Sequence, residues 1–277
     1  MPPKVEVVHA TSPLCNWSWG YEPVINRLEA IYGKQVKFTV VQAIPHTDRQ
    51  KWLEDYDMTE KEALAFQKEI DEAHGFPIKP LTRWEDFPET ALPAGLAVKA
   101  TSIVAGARAE RHLSRALMFA GLVEGRDTSR DDVISDVVRK QGLDLAAILK
   151  AVEGEDAMKA LEEDMHRGGH GANFYSILVR DGDKTTVALE QAYDPARVER
   201  AIDYVAGRKL KKTPPKDVVG YVLEHGPVPL LEVQRMFALA APQAKKALAA
   251  GEKKGKIERL DIPGLVNGTR FWRAASR

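Results

Sequence analysis

The chain reads as an α/β protein in two parts. A strand–helix–strand unit and a strand–strand–helix unit enclose a large helical insertion, and a winged helix-turn-helix module follows at the C-terminal end. Three observations predict this. Short β-rich runs lie on both sides of a long region whose apolar residues recur at helical spacing. The pattern restarts after the basic, proline-containing stretch RKLKKTPPKD. Charge divides at the same place: the whole chain is neutral, but Gly207 to Arg277 carry 15 Lys+Arg against 6 Asp+Glu, and the remainder holds the opposite excess.

The elements follow in order. KVEVVHA (Lys4 to Ala10) alternates and is valine-rich, which predicts a strand. Pro23, Val24, Ile25, Leu28 and Ile31 fall on one helical face, with Gly33 placed to end the helix. QVKFTVVQAI is a second strand stopped by Pro45. From 47 to 168 the pattern is almost purely helical. Thr59 and Glu62 form a capping box for a helix ending at Gly75, and PETALPAGLAVKATSIVAGARAE predicts a buried helix pair or a kinked helix. Leu113, Ala116, Leu117 and Ala120 share a face, and Thr128 or Ser129 is expected to cap the helix that ends at Gly142. NFYSILVRDGDKTTVAL reads as a hairpin, and the next helix has Asp194 as N-cap and Pro195 at its first position. The last part has three short helices, then KIERLDI and TRFWRAA as strands around the wing PGLVNG. Leu223, Leu231, Val233, Phe237 and Leu248 are its expected core.

These boundaries predict an α/β domain from 1–46 and 170–207, an insertion at 47–169, a linker at 208–216 and the winged helix at 217–277. Composition is that of a globular protein, with 44% apolar and 29% charged residues. No stretch approaches the roughly 20 apolar residues that span a bilayer, and no secretory apolar run opens the chain. A cytoplasmic protein without membrane contact is expected. The single cysteine excludes an intramolecular disulfide and a Cys-rich zinc site, and no metal site is expected.

That cysteine lies in SPLCNWSWGYEP. The segment resembles the active-site region of the DsbA-like oxidoreductases, in particular the FrnE-like branch. That branch has Pro, a hydrophobic residue, Cys-x-Trp-Cys, an aromatic, Gly and a later Pro; Pro13, Leu14, Cys15, Trp17, Trp19, Gly20 and Pro23 match. ERHLSRALMFAGLVEGRDTSRDDVISDVVRKQGLD is similar to the inserted helical domain of that family. The resemblance covers about residues 4 to 206 and implies a thioredoxin-like fold. Two positions depart from it. Ser18 stands where the family has its second cysteine, and Tyr175 where GANFYSILVRDG meets the family's cis-proline loop.

The resemblance implies thiol–disulfide chemistry. Without a resolving thiol, only monothiol exchange through Cys15 remains, assisted by the Ser18 hydroxyl. The thiol would sit at a helix N-terminus, where the dipole favours thiolate. The partners would be a disulfide-containing or thiolated protein or a small thiol, with glutathione or another low-molecular-weight thiol as cosubstrate and no bound cofactor. Ser12, Trp17, Trp19, Phe174 and Tyr175 would line the substrate groove, and His9, His166 and His170 would modulate the thiol pKa. A second hypothesis is non-enzymatic: a redox- or ligand-responsive regulator that binds DNA or a partner through the winged helix. Gln243, Lys245, Lys246, Lys253 and Arg270 would then contact nucleic acid. A third rests on similarity to kappa-class glutathione transferases and related isomerases, with Ser12 activating glutathione. A homodimer is compatible with each.

Overall fold

A computed structural model describes residues 4–44, 46–168, 176–182, 186–265 and 269–276. The first sheet has the order β2-β1-β3-β4 and is built from β1 (Val5–Thr11), β2 (Val36–Gln42), β3 (Ser176–Arg180) and β4 (Thr186–Glu190). β1 runs parallel to β2, and β3 is antiparallel to both its neighbours. The parallel pair requires a crossover, which α1 (Asn16–Tyr32) supplies. Val24, Ile25, Leu28 and Ile31 of α1 are buried against Val5, Val7, Ile177 and α9 (Pro195–Ala206). This is the expected β-α-β and β-β-α frame, and it is thioredoxin-like.

The insertion is less continuously helical than its composition suggests. α2 (Arg49–Asp55) and α3 (Glu60–His74) form first. The capping box is present: Glu62 N–H donates to Thr59 Oγ1 at 3.3 Å and Thr59 N–H to Glu62 Oε2 at 2.9 Å. Gly75 ends α3 at φ 66°, a conformation that favours glycine. The chain then runs without α-helix to α4 (Leu92–Ala105), because Pro77, Pro80 and Pro88 remove N–H donors and hold their predecessors extended. Gly106, at φ 85°, breaks the expected pair into α4 and α5 (Ala107–Met118). α6 (Asp131–Lys140), α7 (Leu145–Glu153) and α8 (Glu155–Gly168) complete the insertion. Neither Thr128 nor Ser129 caps α6. Arg130 occupies that position, and Ser129 N–H is held by Asp127 Oδ1 in a local turn.

The C-terminal part consists of α10 (Val218–His225), α11 (Leu230–Phe237) and α12 (Ala241–Lys253) with β5 (Val228–Pro229), β6 (Ile257–Asp261) and β7 (Arg270–Ala274) in the order β5-β7-β6. The two-residue β5 is too short to carry a periodicity and escaped the sequence reading. Val233 and Leu248 are fully buried, but Leu223 is 48% exposed and does not belong to this core. The linker is tied down: Thr213 N–H donates to the Ile31 carbonyl, and Gln35 Nε2 to the Lys211 carbonyl at 2.7 Å.

Candidate functional site around Cys15

Cys15 is the N-cap of α1. Its amide donates to the Ser12 carbonyl at 3.0 Å, and its Sγ accepts the Ser18 N–H at 3.4 Å. The sulfur therefore takes the role that a hydroxyl or carboxylate usually plays at a helix start. Ser12 is fully buried, and its hydroxyl accepts the Leu14 N–H at 3.3 Å. That oxygen closes the turn from β1, and the residue expected in substrate binding is buried.

At this helix N-terminus burial acts against the thiolate. Burial pushes its pKa up to about 11, against the smaller downward pull of the Ser18 hydroxyl and amide and the Trp17 amide. Burial thus favours the protonated thiol. His9 was expected to lower this value, yet it is itself buried and its pKa is pushed down to about 3, first by burial and then by the Arg111 charge. Among the described residues neither of its ring nitrogens has a hydrogen-bond partner. A neutral imidazole contributes no positive charge to a thiolate. His166 is exposed in the last turn of α8. His170, Phe174 and Tyr175 lie outside the described residues.

Two groups of described residues flank the start of α1, where Cys15 is buried. On one side α3 crosses the start of α1, where Asn16 Nδ2 donates to Gln67 Oε1 at 2.9 Å and Asp71 Oδ1 at 3.2 Å. The space left between Cys15, Trp52, Phe66, Ile70 and Phe87 is about 20 Å³. That is room for one water, not for a peptide or glutathione. On the other side Tyr193 stacks on Tyr21 at 4.8 Å and on Trp17 at 6.3 Å, and His74 meets its edge at 5.6 Å. Gly20 makes this approach feasible: a Cβ there would stand 2.6 Å from His74 Cβ and 2.8 Å from Tyr193.

Trp19 is not a wall for substrate. It is fully buried, its indole N–H donates to the Pro77 carbonyl at 3.3 Å, and it packs with Phe76, Met118 and Phe271. Phe271 comes from β7, so this aromatic belongs to the seam between the two parts of the chain.

The seam also holds a polar network that no local motif announces. Arg115 Nε donates to the His225 carbonyl at 2.7 Å and its Nη2 to Glu232 at 2.8 Å, while its guanidinium lies 5.1 Å over Trp19. Tyr221 donates to Glu232 at 2.6 Å and accepts from Asn26 at 3.0 Å. Glu232 is completely buried. The network joins α1, α5, α10 and α11.

On the outer face, Gln243, Lys245, Lys246 and Lys253 of α12 are exposed, as is Arg270 at the start of β7. Gln243 is engaged as a cap, its Oε1 accepting the Ala240 N–H at 2.9 Å. Residues 266–268, which contain the expected wing turn, lie outside the described residues.

The profile of the thioredoxin family matches residues 10–168. Among curated proteins, the chain is 21% identical over 275 residues to the ClpXP adapter protein SpxH of Halalkalibacterium halodurans, covering 97% of this chain and 88% of that one. It is 25% identical over 163 residues to SpxH of Bacillus subtilis, covering 58% and 52%. Among solved structures, the cytosolic disulfide reductase DsbM of Pseudomonas aeruginosa superposes with a TM-score of 0.53 at 18% identity, over 72% of this chain and 99% of that one. A Streptomyces coelicolor protein named as a DsbA oxidoreductase gives 0.54 at 14% identity, over 76% and 93%. These structures share the fold. No described helix is long and apolar enough to cross a membrane.

Proposed function

We propose, from the premise that this chain belongs to the thioredoxin family, that it is a non-enzymatic adapter which recognises proteins with a DsbA-like scaffold. One observation carries the reading: the only thiol is buried at the head of α1 with its pKa raised to about 11. A catalyst of disulfide exchange needs an accessible sulfur with thiolate character near neutral pH. The curated relatives named as ClpXP adapter proteins support the same reading, and the longer match spans both the thioredoxin-like and the C-terminal parts.

The test pairs two measurements on purified protein. Wild type and Cys15→Ala are expected to bind ClpXP equally, and neither is expected to reduce insulin disulfides faster than the thiol reductant alone. Insulin reduction that disappears with Cys15→Ala would overturn the proposal, as would failure of the wild type to bind ClpXP.

A second reading keeps monothiol exchange, with glutathione as cosubstrate and a FrnE-like ancestry for the site. The Ser18 amide on Cys15 Sγ favours it. It requires α3 to move aside and the thiol to alkylate with an apparent pKa below about 8.5.

We read the C-terminal part as a winged helix. Its α12 face bears Lys245, Lys246 and Lys253 without carboxylate partners among the described residues, which suits phosphate contact as a subsidiary role.

A further inference from the structure

We infer that the open edge of β2 is a docking strand for an extended, acidic segment of a client protein. The inference deepens the adapter reading and rests on it. β2 ends the sheet, with β1 on one side and, among the described residues, no strand on the other. Ala43 N–H donates to the Thr11 carbonyl on β1, while Gln42 N–H turns away and donates to Asp164 Oδ2 at 3.0 Å. Backbone groups alternate sides along a strand, so Phe38 and Val40 also direct their N–H and C=O groups outward. At Gln42 the insertion covers the edge through Asp164; over 37–40 Lys37 is exposed and Phe38, Thr39 and Val40 are half-buried. Two outward residues spaced by two are the unit that an incoming strand pairs with.

The edge opens into a cleft of about 1380 Å³ bounded by Phe38, Thr39 and Val40, by Arg108 of α5 and by Pro215 and Lys216 of the linker. Its acids are largely spent. Arg111 holds Glu29 through two contacts of 2.6 and 2.7 Å, and Arg108 holds Glu224 at 3.0 Å. Asp217 turns its carboxylate onto the α10 N-terminus, accepting from Gly220 N–H at 2.8 Å. Lys34 and Lys211 lie at the start of β2, joined through the Gln35–Lys211 bonds, and Lys216 lies on the cleft wall. None of these three exposed lysines has a carboxylate partner among the described residues. Backbone complementarity therefore asks for an extended chain, and the uncompensated lysines ask for acidic side chains on it. A second copy of this chain would bring the same lysines to the edge, and like charges oppose that pairing.

The probes are an acetylated, amidated octapeptide alternating valine and glutamate, and its valine–lysine counterpart. Amide hydrogen exchange is followed by NMR on the full chain. The acidic peptide is expected to slow exchange at Phe38 and Val40 by about tenfold or more, with Lys37 and Thr39, already bonded to β1, unchanged. The basic peptide should give no protection, and added salt should weaken the acidic one. Val40→Pro removes one outward N–H without breaking the β1–β2 ladder and should abolish protection. Lys34→Glu with Lys216→Glu should do the same by charge alone. Absence of protection at about 1 mM peptide would overturn the inference. So would equal protection by the basic peptide, or protection that rises with protein concentration in the absence of peptide. ClpXP binding measured on the same samples separates the two readings: retained binding without peptide protection leaves the adapter role standing and removes this docking strand.

Discussion

His9, His74 and His225 are all held neutral by burial, with pKa values pushed down to about 3, 4 and 3. An unfolded histidine titrates near 6.5, so below that pH the unfolded chain binds protons that the folded chain refuses. Their contribution is therefore complete above pH 6.5 and drains away as pH falls toward 3. Asp71 opposes them: burial raises its pKa to about 6, so its protonation favours the fold below that value. Glu22, raised by burial, acts with Asp71, while His46 and His112, lowered by burial, and Glu6, held at about 2, act with the three histidines, and the balance is a net loss. The urea midpoint is expected to fall steadily from pH 7 to pH 4, and His9→Phe should flatten that slope. A midpoint that stays level or rises on acidification would show that these rings are hydrated in solution. The same residue scale explains what happened to Cys15. The sequence placed it correctly at a helix start, but the sign of its pKa shift depends on what covers it, and α3 lies more than forty positions away.

Between elements, contact distance decides more than propensity does. Gly20 sits in the middle of α1, where glycine ordinarily weakens a helix. Here its missing Cβ admits His74 from α3 and Tyr193 from the turn before α9. Gly20→Ala should improve local helix propensity yet destabilise the protein by about 1–3 kcal/mol through overpacking. Chemical denaturation reads this directly, and an unchanged or higher midpoint would mean that α3 can shift outward at little cost. The Thr59–Glu62 capping box, the glycine stops and the proline-started α9 were legible because each is written within four residues. The run from Phe76 to Ala91 was not, since its prolines break helices while its composition still looks helical. Leu223 was misassigned, and the burial of Trp19 was not legible, for a related reason. Helical spacing shows which residues share a face, but not whether another element covers it.

At the scale of the molecule, the two parts are joined by burial and charge as well as by a linker. Arg115 carries a full charge in a nearly dry seam and is compensated by Glu232, Glu22 and two carbonyls. Removing one partner leaves the other charge buried alone, so Arg115→Ala should cost about 3–5 kcal/mol. It should also split one unfolding transition into two as the C-terminal part loosens. Arg115→Met combined with Glu232→Leu should be far milder, because no lone charge remains. Urea denaturation followed by tryptophan fluorescence separates these outcomes, and additive losses in the double variant would contradict the coupling.

The sequence by itself determined the α/β frame, the position of the helical insertion, the restart after residue 207 and the place of Cys15 at the head of α1. Those follow from periodicity, punctuation residues and a short motif, all of which are local. Tertiary structure alone decided that the thiol is buried, that Trp19 serves the seam, and that among the described residues the edge of β2 has no further strand and lies beside lysines without carboxylate partners. Each of these depends on which distant segment lies within a few ångströms. Burial and charge compensation are properties of that neighbourhood rather than of the residue.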